Sequence, residues 1–350
     1  MSEDITDIDD TESVLESLTK TLLYEGYSLY PYYRTAIKNQ KPIPFGVLFP
    51  SDYNKYNEHS HSAVQSQTIF TATGDATVNI TARFLHLRKT EVFQKNTDDY
   101  IPVFNLEING TLYQAGWQTI ERKISTGDLR ISELINSSTM MFGFDNLYNG
   151  EIIFNEKKEI VAKRIVTVSE IKGSISINVD ELKDDSGFRL TVTVTNLTPV
   201  ENAGMMTRDD AFLQSFLSTH IILQTTGGEF ISHQDTPGKW KSAVATCRNI
   251  NTWPILIDKN NTTLLSSPII LYDYPEINSQ SSGDLFDSTE IEEALLLHVN
   301  MLSDDEKKRI GSNDEKLHAM LNKVSSMTPE DLNIYHSMMK SSVPDEFNNK

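Results

Sequence analysis

Between residues 77 and 87 the chain reads TVNITARFLHL, and Val78, Ile80, Ala82, Phe84 and His86 fall on one side of a two-residue alternation. That period marks a half-buried strand. It returns at Ile171, Gly173, Ile175, Ile177 and Val179, and at Leu190, Val192, Val194 and Asn196, with Asp185-Ser186-Gly187 as turn material between the two runs. Gly74-Asp75 predicts a hairpin turn from a strand over 65–73. Thr225-Thr226-Gly227-Gly228 predicts another, between strands at 221–224 and 230–232. Phe45 to Phe49 reads as strand-like, 51–62 as a polar loop, and Pro268 to Tyr272 as a last strand.

Helical periodicity sits at the two ends. Val14, Leu18 and Leu22, with Leu15 beside them, predict a helix from about Thr11 to Tyr24 behind an acidic, frayed start at 1–10. Thr207, followed by Asp209 and Asp210, caps a short helix to Phe216. After Pro275 a Ser/Gly-rich linker over 276–288 precedes a helical region over 289–340 and a tail at 341–350. Thr289 or Ser288 caps its first helix, Ser303 to Glu306 forms a capping box, and Pro329 opens its last. No strand–helix alternation occurs, which disfavours a parallel nucleotide-binding sheet. The expected fold class is α+β: a mainly antiparallel β body over 11–275, sandwich-like or a strongly curved sheet, with a C-terminal α-helical region.

Composition narrows the functions. At 38% hydrophobic residues in 350, a sizeable core is expected. The net charge of -18 disfavours nucleic-acid backbones and anionic membrane surfaces. The start, MSEDITDIDD, lacks the basic and apolar segments of a signal peptide, and no stretch approaches the roughly 18 apolar residues of a membrane span. A cytoplasmic protein is expected, without membrane insertion. Cys247 is the single cysteine, so neither an intrachain disulfide nor a cysteine-based metal cluster can form.

Candidate chemistry is sparse, and no cofactor can be named. His59 and His61 stand at i, i+2 and would share a metal if extended, but their context is a polar loop. His86 and His220 fall on apolar strands and read as core histidines. Cys247 would need a base such as His220 or His233 brought to it by the fold; an inert thiol is the default. Gly227-Gly228-Glu229-Phe230 resembles the diguanylate cyclase signature but holds one acid where that signature has two. The acids Asp273, Glu276, Asp284, Asp287 and Glu290 fit helix capping and solvation better than a calcium loop. The common hydrolase, zinc-protease and phosphate-binding motifs are missing. One stretch does suggest contact with a partner. In the aromatic, proline-pinned run 22–50, Tyr27, Tyr30, Tyr32, Arg34 and Lys38 combine phenols with a local excess of positive charge.

Three strings carry a resemblance: Leu23-Tyr24-Glu25-Gly26-Tyr27 with Tyr30-Pro31-Tyr32 and Lys38-Asn39; Phe45-Gly46-Val47-Leu48 with Pro50; and Ser267 to Pro275 with Gly283 to Ile291. They resemble a bacterial cytoplasmic protein family, without an assigned activity, associated with nickel–iron hydrogenase gene neighbourhoods. The resemblance implies an accessory role and supplies no catalytic residues. The expected function is a non-enzymatic accessory or scaffold protein, with hydrogenase or other metalloenzyme assembly as its setting. A metal carrier or an enzyme built from distant His, Cys and Asp residues, and a structural subunit of a larger assembly, are the alternatives.

Overall fold

A computed structural model describes residues 3–24 and 45–275, apart from 98, 136 and 183–186. It is a strand-dominated architecture in which every strand pair is antiparallel. Among the described residues, eleven strands form one sheet that curls around its own core as a half-barrel, in place of two sheets packed face to face. The C-terminal helical region expected beyond Pro275 lies outside the described residues, as do its linker and tail.

The chain enters through helix α1 (Glu3–Tyr24), which begins eight residues before the expected start at Thr11. A four-residue turn of helix, α2 (Ser51–Asn54), follows the segment 45–50. The spine is β1 (Ala63–Asn96), a single strand of 34 residues. The remaining strands are β2 (Asp99–Val103), β3 (Asn105–Ile108), β4 (Thr111–Gln114), β5 (Gly116–Arg130), β6 (Ser138–Phe144), β7 (Leu147–Phe154), β8 (Ile160–Val168), β9 (Ile171–Leu182), β10 (Gly187–Asn196), β11 (Leu217–Phe230), β12 (Trp253–Leu256) and β13 (Thr263–Ser267). Short helices α3 (Ile131–Leu134), α4 (Arg208–Leu213) and α5 (Lys241–Ala245) fill the joints. The β3–β4 hairpin forms a separate two-stranded sheet.

Because β1 is so long, it serves several neighbours in succession. Along one edge it pairs β10 through Phe70, β5 from Thr77 to Thr90, and β2 from Val92 onward. Along the other it pairs β11 from Phe70 to Leu85 and β8 from Arg88 to Gln94. Strands β9 and β6 extend the sheet beyond β10, and β7 extends it beyond β8.

Alternation along β1 sends Val78, Ile80, Ala82 and Phe84 into the principal core, with Ile175, Ile177, Val192, Val194, Ile221 and Leu223. Phe84 stacks on Phe216 with centroids 4.4 Å apart, and Phe142 of β6 closes against both. Burial of such aromatic surface contributes on the order of 2 kcal/mol per ring.

Two expected turns are bulges. The chain does not reverse at Gly74-Asp75; β1 runs through, and its pairing with β11 shifts register between Ala72 and Thr77. Opposite that shift lie Gly227 and Gly228, inside an unbroken β11 rather than in a hairpin loop. Gly227 takes φ +78°, and a Cβ on Gly228 would stand 2.5 Å from the Thr71 carbonyl oxygen. Both glycines permit the strand to bulge without ending.

Two further expectations are corrected. Residues 45–49 lie against the start of β11 through backbone bonds of Leu48 and Phe216, but make only a single bridge and no strand. The last strand is Thr263–Ser267; 268–272 follow it outside regular structure, with Pro268 packed on Gly46. The loop over 51–62 is present apart from α2, and Thr207 caps α4, accepting a bond from the Asp210 amide at 3.2 Å; α4 stops at Leu213, short of the expected Phe216.

Candidate functional site

The sheet face opposite the principal core carries a polar network, centred on a buried arginine, beneath α1. Arg83 occupies a polar slot of β1 and is nearly inaccessible. Its guanidinium donates to both carboxylate oxygens of Glu16 on α1, at 2.6 and 2.9 Å, and approaches Glu121 of β5 at 3.5 Å. The Tyr24 hydroxyl, at the end of α1, donates to Glu121 at 2.8 Å. The planar fork of an arginine matches a carboxylate in this bidentate way. Around the network, Leu15 and Leu22 pack on Ile222, Ile255, Ile257 and Leu265. The network therefore clamps α1 onto the sheet.

Directly across from Arg83 in register is His220, fully buried. Its Nδ1 lies 2.8 Å from the Ser218 carbonyl oxygen and its Nε2 lies 3.2 Å from the Ser267 hydroxyl. Burial lowers its pKa to about 4; the Ser218 carbonyl opposes that shift and the Arg83 charge adds to it. The ring is a neutral structural element bonded at both nitrogens. His86 sits inside the half-barrel, buried, with Arg122 Nη2 3.4 Å from its Nδ1. Burial first, then the Arg122 charge, lower its pKa to about 4 against nearby carbonyls of Ser169 and Leu213. Both histidines are core residues, and the one hydroxyl in reach of His220, on Ser267, is itself fully buried.

The other candidates stand apart. His59 and His61 are exposed in the 51–62 loop, where the His61 carbonyl accepts from the Phe49 amide. Among the described residues no group of three His, Cys, Asp or Glu side chains could hold a metal ion. Cys247 packs beside Trp240 and Val244, its thiol 3.7 Å from the Ala243 carbonyl, and burial raises its pKa. A raised pKa keeps the thiol protonated and unreactive. Asp273 accepts from the Ser232 hydroxyl and the Leu256 amide, fixing the chain after β13. Nearby His233 has its pKa lowered by burial and pulled back up by Asp273. Gly228 and Glu229 lie within β11, so the cyclase-like string is strand. Tyr27, Tyr30, Tyr32, Arg34 and Lys38 fall outside the described residues. No described helix is long and apolar enough to cross a membrane.

A different feature, which the sequence reading did not single out, is the edge formed by β6 and β7. Beyond their pairings with β9 and β8, neither strand has a further strand partner among the described residues. Sheet edges are usually guarded by charge or proline. The β5 edge is guarded in this way by Glu121, Arg122, Lys123, Asp128 and Arg130, and β12 carries Pro254. Strand β6 (STMMFGF) carries no charge, and β7 (LYNGEIIF) carries only Glu151, which is tied to Arg164 of β8 at 3.0 Å. The side chains that stand out are large and apolar: Met141 is 63% exposed, Tyr148 68%, Leu147 53% and Phe154 49%. A signal was present in the run MMFGFDNLYNGEIIF, with a single basic or acidic side chain after Asp145. Compared with known proteins, the chain matches no family model and no curated protein sequence.

Proposed function

We propose that this protein is a non-enzymatic accessory or scaffold protein that works by association, with the β6–β7 edge as its contact surface. The observation that carries the reading is the pair of unguarded strand edges with exposed Met141, Leu147, Tyr148 and Ile152, beside an Arg83 and a His220 that are engaged in structure. An open strand edge offers main-chain hydrogen bonds to an added strand, and apolar side chains beside it add affinity. The resemblance to the hydrogenase-associated family makes a metalloenzyme under assembly the first class of client to test.

The test is purification of the tagged full chain from its native host, wild type beside Met141→Lys, with bound proteins and metals measured together. Met141 is exposed, so its replacement leaves the fold intact. A client at near-stoichiometric yield with wild type, and lost with Met141→Lys, supports the reading. A client-free wild type that carries a stoichiometric metal or a turnover activity overturns it.

A further inference from the structure

We infer that the β7 edge is occupied by a second copy of this chain, paired antiparallel about a two-fold axis at Gly150. The inference rests on the association reading above and names one partner for one half of that surface.

Three observations fix the register. First, the usable edge is bounded. Asn109, at the tip of the β3–β4 hairpin, donates to the Phe154 carbonyl at 3.0 Å, so the far end of β7 is already engaged. That leaves 147–153, whose midpoint is Gly150. Second, a two-fold axis perpendicular to a sheet pairs residues of like parity, because directly opposed residues share a face. An axis at Gly150 sets Tyr148 against Ile152, Leu147 against Ile153, and Asn149 against Glu151 of the second copy. The exposed Tyr148 and Ile152 then meet twice across the axis, while Ile153, opposite Leu147, is already buried in its own copy. Third, the neighbouring register, centred on Glu151, sets two carboxylates against each other, which is unfavourable on a strand pair. The register centred on Gly150 has no like-charge pair, and Glu151 keeps its own Arg164.

Self-complementarity of this kind is what an isologous interface requires. It joins two sheets through their least guarded edges, removing those edges from solvent. Gly150 allows close approach across the axis. Its φ is ordinary, and a Cβ there would meet only Tyr148 Cε1 at 3.9 Å, so a side chain can be introduced.

The experiment uses the full chain carrying Cys247→Ser. Gly150→Cys should form a disulfide dimer under mild oxidation, because opposed Cβ atoms lie within reach of one bond. Asn149→Cys, displaced diagonally from its own mate in this register, should remain uncrosslinked. In sedimentation velocity, Tyr148→Lys/Ile152→Lys and Tyr148→Glu/Ile152→Glu should each be monomeric, and their mixture should recover the dimer. A wild type that is monomeric at every concentration overturns the inference, as does a dimer indifferent to both charged variants. Equal crosslinking of both cysteine variants overturns the register. Either failure leaves the accessory reading to the Met141→Lys purification, which reads a different strand.

Discussion

Two apolar surfaces of this sheet meet different fates. On the face of β1 that carries Arg83, Leu85 and Leu87, the chain supplies its own cover. Helix α1 lies across it, packed by Leu15 and Leu22 and held by the Glu16 and Glu121 pairs to Arg83. At β6 and β7, similar apolar content is left without a strand or helix over the edge among the described residues. The difference lies in charge placement. The covered face spends a buried arginine to fix the position of its cover, whereas the open edge has almost no charge. A surface sealed from within reads as structure, and one left open and unguarded reads as a place for a partner.

The sharpest way to break the comparison is to unseat α1. Arg83→Met removes the tie to Glu16, whose carboxylate is half exposed, and to Glu121, and should cost about 1.5–3 kcal/mol, as loss of hydrogen bonds to a charged group does. Denaturant unfolding would measure it, and limited proteolysis should cut within 12–24 first. Phe84→Ala should cost about 3–5 kcal/mol by leaving a cavity beside Phe216. If either change costs under about 1 kcal/mol, the account of the sealed half is wrong.

Acid should act on the sealed half next. His86 and His220 have ordinary pKa values of 6.5 and folded values of about 4. Between these values the unfolded chain binds protons that the folded chain refuses. Their contribution is therefore intact above pH 6.5, declines as pH falls through the window, and is fully lost below pH 4. The loss is on the order of 3 kcal/mol for each histidine. Unfolding by urea across this range would show it, and His220→Gln should flatten the slope.

The smallest effect on stability belongs to the open edge. Ile152→Lys and Met141→Lys should each move stability by less than about 0.5 kcal/mol while altering association. A variant there that unfolds the protein would turn the edge from a surface into a core.

How much of this was legible in the sequence depends on exposure. The alternation at 77–87, 171–179 and 190–196 was readable because one face of each strand is buried. Gly74-Asp75 and Gly227-Gly228 were misread as turns because the residues that permit a turn also permit a bulge. Only the pairing of Ala72 with Gly228 tells the two apart. Strand β7 lost its alternation because both of its faces are largely exposed. Arg83 was hidden because a polar residue in an alternating strand looks solvent-facing, and its carboxylate partner comes from a helix 67 positions away. The aromatic run with Tyr27, Tyr30 and Tyr32 lies outside the described residues and is a second contact candidate.

The most direct measurement is hydrogen exchange on the full chain at low and high protein concentration, comparing peptides over 138–154 with those over 116–130. The account predicts that amides of β7 become protected as copies associate, while the charged edge of β5 is unchanged. Equal exchange of β7 at both concentrations, or protection that appears on β5 instead, would contradict it.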